Sequence, residues 1–257
     1  MSQPKVELKE VSKKYLSVQG ETLAVKEINL SIAKNEFVSI VGPSGCGKST
    51  LLSLISGLIY PNKGRIYIDG SKINTICNKI GYMLQQDYLF EWRTVYENVR
   101  LGLEIKNKIT ADTDQKIMNL LKNYGLKDFK EDYPAQLSGG MRQRVALART
   151  LIIDPEILLL DEPFSSLDYQ TKLNLEEEMF NILSQQQKTV ILVTHDIAEA
   201  ISMGDRVLVL SQRPGEIKDN IEIDFAEDLT PLEKRKVKSF QDYFDKIWGE
   251  LDIDVKQ

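Results

Sequence analysis

Short, nearly continuous runs of apolar residues recur along the chain and predict strands that are buried on both faces. These runs cover residues 37–41 (FVSIV), 157–160 (ILLL), 190–193 (VILV) and 207–210 (VLVL). Runs of this length and composition are typical of a parallel sheet that is covered by helices on both sides. The sequence therefore predicts an α/β core.

Two earlier segments have a different pattern. Residues 5–11 alternate between apolar and polar side chains, and residues 63–70 (KGRIYIDG) carry turn residues at both ends. Alternation is typical of an antiparallel strand with one face in water. We expect an antiparallel β part in the first third of the chain.

The strand pattern disappears between residues 87 and 153. Residues 112–124 have apolar positions at helical spacing, acidic residues in the first turn and Gly125 as a candidate C-cap. We expect one domain, 1–257, in which a helical part (87–153) is inserted into an α/β core (1–86 and 154–226). A tail (227–257) follows, in which Phe240, Phe244, Ile247 and Leu251 form one apolar helix face that packs on the core.

Composition and charge exclude several classes of function. The chain has 33 basic and 38 acidic residues, and residues 216–257 contribute 12 acidic and 7 basic ones, so the excess acidity lies in this C-terminal segment. An acidic balance argues against nucleic-acid binding, and a solvated surface is the simplest account of these charges. The two cysteines match no motif spacing, which argues against a disulfide framework or a cysteine-based zinc site and fits a reducing compartment. The single histidine excludes a multi-histidine metal centre.

The sequence also predicts no membrane-spanning segment. The N-terminal residues lack the apolar stretch of a secretory signal, and the longest uncharged stretch of note has 14 residues, interrupted by Gly57 and Pro61. A bilayer span needs about 20 apolar residues. We expect any membrane part to be supplied by other chains.

A glycine-rich loop follows the first apolar run and matches the phosphate-binding pattern G-x-x-x-x-G-K-[ST]. The candidate phosphate-binding residues are Gly42, Pro43, Ser44, Gly45, Cys46, Gly47, Lys48, Ser49 and Thr50. Backbone N–H groups of such a loop and the helix start behind it attract phosphate oxygens. The pattern predicts that Lys48 contacts the β- and γ-phosphates of a nucleotide and that Ser49 offers its hydroxyl to Mg²⁺.

Two adjacent acidic residues follow the apolar run 157–160. Asp161 stands at the end of this predicted strand, where a carboxylate would face Mg²⁺, and we expect the contact to run through a water molecule. Glu162 comes next and is the candidate general base that positions the attacking water. Surface turns seldom follow four buried aliphatic residues, which favours the catalytic interpretation.

Residues 137–141 (LSGGM) precede the helical sequence RQRVALAR, and the whole segment resembles the signature of ATP-binding cassette (ABC) ATPases. The usual motif ends in Gln where Met141 stands. Ser138, Gly139 and Gly140 would form a second anion-binding helix start, yet the first loop already holds the single triphosphate. The resemblance therefore implies that they contact ATP held by a second subunit.

The remaining motifs stand in the order that this family has. The resemblance implies that Gln85 senses Mg²⁺ and the γ-phosphate, that Asp168 lies at the dimer interface, that Tyr15 stacks on adenine and that His195 contacts the γ-phosphate. Residues 92–99 and 194–217 further resemble the nitrate/sulfonate/taurine branch of bacterial importer ATPases, a branch that includes subunits for thiamine-precursor pyrimidines. Glu91 departs from the Pro that is common there.

The implied function is an ATP-hydrolysing, Mg²⁺-dependent subunit of a bacterial ABC importer. The implied partners are a second ATPase subunit, identical or not, transmembrane permease chains and, indirectly, a periplasmic or lipid-anchored binding protein. The implied location is the cytoplasmic face of the inner membrane, or the cytoplasm when the subunit is isolated.

Alternatives from other classes remain open at this stage. An ABC efflux or lipoprotein-release subunit shares the catalytic motifs. A DNA-repair type would insert a long coiled coil, but only 95 positions separate Gly42 from Leu137, and a translation-factor type would carry two cassettes. A P-loop GTPase would need N-K-x-D, which the three Asn-Lys pairs lack.

Overall fold

The computed structural model describes residues 3–18, 20–225 and 228–252, which form two sheets and the helices around them. The strands are β1 (Val6–Ser17), β2 (Gly20–Ile32), β3 (Phe37–Val41), β4 (Lys63–Ile68), β5 (Ser71–Lys72), β6 (Ile80–Met83), β7 (Ile157–Asp161), β8 (Thr189–Val193), β9 (Arg206–Leu210) and β10 (Ile217–Glu222). The helices are α1 (Lys48–Ser56), α2 (Val95–Ile105), α3 (Thr113–Asn123), α4 (Gly139–Leu151), α5 (Tyr169–Gln185), α6 (Ile197–Met203), α7 (Pro231–Lys234) and α8 (Lys238–Asp252).

The larger sheet has the strand order β10-β9-β3-β8-β7-β6. Its inner strands pair in parallel, and β10 joins β9 in antiparallel orientation. Every residue of β3, β7 and β8 is buried, which confirms the core that the apolar runs predict. Because the strands are parallel, the loops that follow β3, β7 and β8 meet at one edge of the sheet.

The smaller sheet is antiparallel and has the order β2-β1-β4-β5. The sequence patterns predicted β1 and β4, whereas β2, which has 13 residues, was not among the predicted strands. A bulge explains this omission: Glu27 has a φ of 48°, and the pairing of β1 with β2 shifts register between Val11 and Lys13. Each shift interrupts the alternation on which the sequence pattern depends.

Helices α2, α3 and α4 occupy the middle of the chain, where the strand pattern is missing. The predicted helix 112–124 is observed as Thr113–Asn123, and Ile117 and Leu121 on its inner face are fully buried. Gly125 follows with a φ of 65°, as a helix-terminating glycine does. These helices pack on the same apolar cluster as β7 and α5. The division of the chain into core, helical part and tail remains our proposal.

The described part of the C-terminal segment forms two helices. Pro231 begins α7 behind a capping box of Thr230 and Glu233, and α8 starts four residues after α7 ends. Phe240 and Ile247 of α8 are buried against β9 and β10, as the apolar face predicts. Residues 227 and 253–257 of the predicted tail lie outside the described residues. No helix within the described ranges is long and apolar enough to cross a bilayer.

Buried charges lie between α5 and α6. Lys172 Nζ is 2.7 Å from Asp196 Oδ2 and 2.8 Å from Glu199 Oε2. Burial raises the pKa of Glu199 to about 7. Lys172 lowers this pKa, whereas the charges of Glu176 and Asp196 raise it. Although burial lowers the pKa of Lys172, Glu199 and Asp196 raise it above its usual value.

The raised pKa of Glu199 predicts how stability depends on pH. Between about pH 4.5 and 7 the folded chain keeps a proton on Glu199 that the unfolded chain releases, so the free energy of unfolding falls as the pH rises. Glu199→Gln removes this contribution, which is at most about 1.4 kcal/mol per pH unit. Urea unfolding at pH 5, 6 and 7 measures the slope. The exposed Glu222→Gln is the control, and equal slopes for both variants and the wild type would contradict the assignment.

Candidate active site

The glycine-rich loop connects β3 to α1 at the edge of the larger sheet where the parallel strands end. Gly47, directly before α1, has a φ of 114°, and a Cβ atom there would lie 2.7 Å from Val25 Cγ1 and 2.8 Å from the Ala24 carbonyl oxygen. Only glycine fits this conformation and this close approach. The loop thereby presents backbone N–H groups and the positive end of α1 to an anion.

Lys48 lies inside this loop. Its side chain is 6% exposed, and Nζ donates to the carbonyl oxygens of Gly42 at 2.8 Å and Pro43 at 3.0 Å. A cleft of about 350 Å³ opens beside it. The cleft is lined by Ser44, Gly45, Gly47, Lys48, Ser49, Thr50, Gln85 and Glu162. One ammonium group and the loop N–H groups thus face the same space as one carboxylate.

Cys46 is the exception within the loop, because its side chain turns inward. It is buried in the core, and burial raises the pKa of its thiol. A Cβ atom on Gly42 would lie 2.8 Å from Cys46 Sγ. The side chain of Cys46 therefore fills space under the loop, and only its backbone is available for a phosphate.

Asp161, at the end of β7, reaches the first turn of α1. Its Oδ1 accepts a hydrogen bond from Ser49 Oγ at 3.1 Å, and Oδ2 accepts one from Tyr82 Oη at 3.3 Å. Burial raises the pKa of Asp161, and the charge of Glu162 adds to the rise, whereas the hydrogen bonds from Ser49 and Tyr82 lower it. A buried carboxylate next to a hydroxyl and a second acid favours a hard cation.

The donor set fits Mg²⁺ held jointly by protein and phosphates. Mg²⁺ prefers oxygen ligands and is bound by one or two protein groups together with substrate phosphates. Asp161 and Ser49 offer such oxygens, and Gln85 lines the same cleft. No group of three or more His, Cys, Asp or Glu side chains suited to a metal occurs among the described residues.

Glu162, in the loop after β7, contacts the loops that follow β8 and β6. Its N–H donates to the Val193 carbonyl oxygen at 2.8 Å, and its Oε2 lies 2.9 Å from His195 Nδ1 and 3.4 Å from Gln85 Nε2. Its φ of 45° is a strained, left-handed conformation for this residue type, and such strain is concentrated at functional sites. A carboxylate aimed into the cleft and hydrogen-bonded to an imidazole can accept a proton from water.

The signature residues lie away from this cleft. Ser138 caps α4 by accepting from the Met141 N–H at 3.3 Å, and Asp168 caps α5 by accepting from the Thr171 N–H at 3.1 Å. A Cβ atom on Gly140 would lie 2.8 Å from Thr171 Cγ2, so the two helix starts pack closely together. Of the residues that the structure describes, neither Ser138 nor Asp168 lines the Lys48 cleft.

Tyr15 lies beside α1. Its hydroxyl is 3.4 Å from Thr50 Oγ1, its side chain is 42% exposed, and Lys13 Nζ stands 5.5 Å from the ring centre. An exposed aromatic face next to the phosphate loop suits stacking on a base. The structure thus brings Tyr15 to the rim of the loop rather than into the cleft.

Two sets of contacts were missed by sequence reasoning. Tyr82 pairs in register with Leu159 on the neighbouring strand, and its hydroxyl bonds Asp161. Arg142, in the first turn of α4, binds Asp87 at 2.8 Å and Glu91 at 3.1 Å. Glu91, the departure from the usual Pro, is therefore tied to the signature helix. The pairing of β6 with β7 could have indicated that Tyr82 lies near Asp161. No pattern along the chain connects Arg142 to Glu91.

A phosphate loop, an acid at the end of a neighbouring parallel strand and a second glycine-containing helix start define a nucleotide-hydrolysing protein of the P-loop class. The chain belongs to the ABC transporter family, whose model matches residues 25–165. It is an ATP-binding, ATP-hydrolysing subunit, as the resemblance of its motifs implies.

Known relatives match almost the whole chain. The ABC transporter ATP-binding protein YtlC of Bacillus subtilis is 50% identical over 96% of this chain and 95% of its own length. The aliphatic sulfonates import ATP-binding protein SsuB of Bacillus thuringiensis subsp. konkukian is 41% identical over 94% of each. The dimeric, post-hydrolysis structure of the ATP-binding cassette MJ0796 with ADP and Pi matches with a TM-score of 0.75 and 36% identity, over 86% of this chain and 99% of that one. These matches confirm the predicted fold class and family.

Proposed function

We propose that this chain powers a bacterial importer of a small sulfonate-like solute. The observation that carries the proposal is the 41% identity to an aliphatic sulfonates import ATP-binding protein over 94% of both chains. Taurine is itself a sulfonate, and nitrate and thiamine-precursor pyrimidines are the other solutes that the resemblance of residues 92–99 and 194–217 allows. The solute itself would be recognised by other chains.

The residues around Lys48 would hold the triphosphate of ATP. Loop N–H groups would bind phosphate oxygens, and Lys48 would exchange its two carbonyl partners for the β- and γ-phosphates. Ser49 and Asp161, the latter through water, would hold Mg²⁺, with Gln85 nearby. When bound, Mg²⁺ supplies positive charge that offsets the charge of the β- and γ-phosphates.

Glu162 would act on the attacking water. Its Oε2 would accept the water's proton as the oxygen attacks the γ-phosphorus, in line with the bond to the leaving ADP. The hydrogen bonds from His195 and Gln85 hold this carboxylate in place. His195 is 62% exposed, so its second ring nitrogen, Nε2, could contact a γ-phosphate oxygen while Nδ1 stays on Glu162.

The signature residues would complete the site of a second subunit. Ser138, Gly139 and Gly140 start a helix that can bind an anion, yet they lie outside the cleft of their own chain. The dimeric structure of the MJ0796 cassette supports a dimer, in which each subunit would face the ATP of the other. Asp168 would lie at this interface, and the partner subunit would be a second copy or a related chain.

The subunit would work at the cytoplasmic face of the inner membrane. Permease chains would cross the membrane, and a periplasmic or lipid-anchored binding protein would deliver the solute to them. Closure of the ATPase dimer would depend on the γ-phosphate, so hydrolysis would reopen it and drive the permease.

Transport by the complete complex tests this proposal. The tagged chain is purified from membranes of its own cells with its permease and placed in liposomes that hold ATP inside. We expect labelled ethanesulfonate or taurine to accumulate when the binding protein is added outside, and to stay outside when Glu162→Gln replaces the wild type. Accumulation of nitrate or a pyrimidine alone would contradict the proposed solute. Extrusion without any binding protein would contradict import.

A further inference from the structure

A buried group of charges connects the C-terminal segment to the loops of the active site. We call it the Lys172 cluster: Lys172, Glu176, Asp196, Glu199 and Arg235. Lys172 and Glu176 belong to α5, Asp196 and Glu199 to the start of α6, and Arg235 directly follows α7. Glu176 and Glu199 are 1% and 2% exposed, and Lys172 and Arg235 are nearly buried.

Two members of the cluster are next to proposed active-site residues. Asp196 follows His195 in the chain and caps α6 by accepting from the N–H groups of Ala198 at 2.8 Å and Glu199 at 3.1 Å. Lys172 lies one helical turn after Asp168, and its N–H donates to the Asp168 carbonyl oxygen at 2.9 Å. The side chain of Lys172 therefore bridges the loop of Asp168 and the loop of His195.

Arg235 supplies the second positive charge of the cluster. Its Nη2 is 2.6 Å from Glu176 Oε2 and 3.2 Å from Ser202 Oγ, whereas Glu176 Oε1 is 3.8 Å from Lys172 Nζ. Three acidic side chains thus share two cations in a space with little water. Without Arg235, Lys172 would be the one cation of the cluster left near Glu176.

We propose that Arg235 is a positioning residue for ATP hydrolysis: its pairing with Glu176 leaves Lys172 on Asp196 and so holds the loop that carries His195. This role of Arg235 rests on the proposed roles of Glu162 and His195. Their 2.9 Å contact has little tolerance, since a hydrogen bond is lost when its atoms separate by an additional 1 Å.

Arg235 affects His195 because Glu176 and Asp196 compete for the ammonium group of Lys172. When Arg235 is removed, the ionised carboxylate of Glu176 has Lys172, 3.8 Å away, as its one cation in the cluster and attracts it, because a buried charge without a close partner is strongly unfavourable. Lys172 then moves from Asp196 toward Glu176. Asp196 loses its cation, the start of α6 shifts, and His195 moves relative to Glu162.

Arg235→Gln tests this route. We expect kcat of the purified full-length chain to fall about 10- to 100-fold with little change in the KM for ATP, because positioning rather than nucleotide contact is lost. His195 is the single histidine of the chain, so its ring ¹⁵N–¹H signals report its surroundings directly. We expect these signals to shift in Arg235→Gln and to return in Arg235→Lys.

The matched control removes the same charge one residue further on. Lys236 is exposed, and Lys236→Gln should leave both kcat and the His195 signals at wild-type values. A folded Arg235→Gln variant with wild-type kcat and unshifted His195 signals overturns the proposal.

A double variant separates this route from a general loss of packing. Glu176→Gln in the Arg235→Gln background removes the charge that attracts Lys172, so we expect kcat to recover most of its loss. This variant has no unpaired buried carboxylate at position 176 and therefore also serves if Arg235→Gln alone fails to fold. A folded double variant that stays as slow as the single one overturns the route through Lys172.

His195→Ala distinguishes failure of this proposal from failure of the proposed site. If His195→Ala keeps wild-type turnover, the role of His195 is wrong and the inference about Arg235 fails with it. If His195→Ala loses turnover while Arg235→Gln does not, the inference alone fails.

Discussion

Glu162→Gln is expected to retain ATP binding while ATP hydrolysis falls by about 10²- to 10⁴-fold, the usual effect of removing a general base. The amide has the shape of the carboxylate and can still accept a hydrogen bond from His195, 2.9 Å away in the wild type. It cannot accept the proton of the attacking water. Single-turnover hydrolysis, measured beside equilibrium binding of ATP, separates the two effects.

Dimerisation provides a second measurement on the same variant. Because ATP stays intact, Glu162→Gln should elute as a dimer with ATP and Mg²⁺, and as a monomer with ADP. Glu131→Gln, the same substitution at an exposed position, is the control for both measurements. Near-normal turnover by Glu162→Gln would show that another group activates the water.

Lys48→Ala is expected to weaken ATP binding by about 10²-fold or more. The ammonium group would make two charge-assisted hydrogen bonds to phosphate oxygens, each worth about 1.5 to 3 kcal/mol. Titration calorimetry with ATP and with ADP measures the loss, which should be larger for ATP because the γ-phosphate contact is lost as well.

Two controls separate loss of the phosphate contact from loss of charge or of folding in Lys48→Ala. Lys34 is exposed, so Lys34→Ala removes one lysine charge without touching the loop. Thermal unfolding shows whether Lys48→Ala disturbs the loop through its bonds to Gly42 and Pro43. Wild-type affinity in a folded Lys48→Ala variant would refute the placement of the triphosphate at this loop.

Much of the fold was predictable because buried parallel strands have a simple sequence pattern. The apolar runs in β3, β7, β8 and β9 are nearly continuous, so their residues identify them directly. Prediction failed for β2, where a bulge breaks the alternation. This failure occurs where tertiary contacts set the local conformation.

Part of the candidate site was also predictable from the sequence, and part depends on the fold. Lys48, Asp161 and Glu162 stand beside buried strands at characteristic spacing, so motif and structure place them together. Their catalytic roles, like those of Tyr15 and Gln85, remain predictions. Tyr82 carries no motif, and its bond to Asp161 depends on the pairing of β6 with β7.

The sequence by itself determined the class of fold, the family and the phosphate-binding loop, because these depend on residue types at short and regular spacing. Only the tertiary structure decided that Glu162 contacts His195, that Glu91 is tied to Arg142, and that Arg235 enters a buried cluster beside the His195 loop. The physical reason is the same in each case. Charged side chains that are distant in sequence are paired when the packing of strands and helices removes them from water, and no local pattern encodes which partner each one meets.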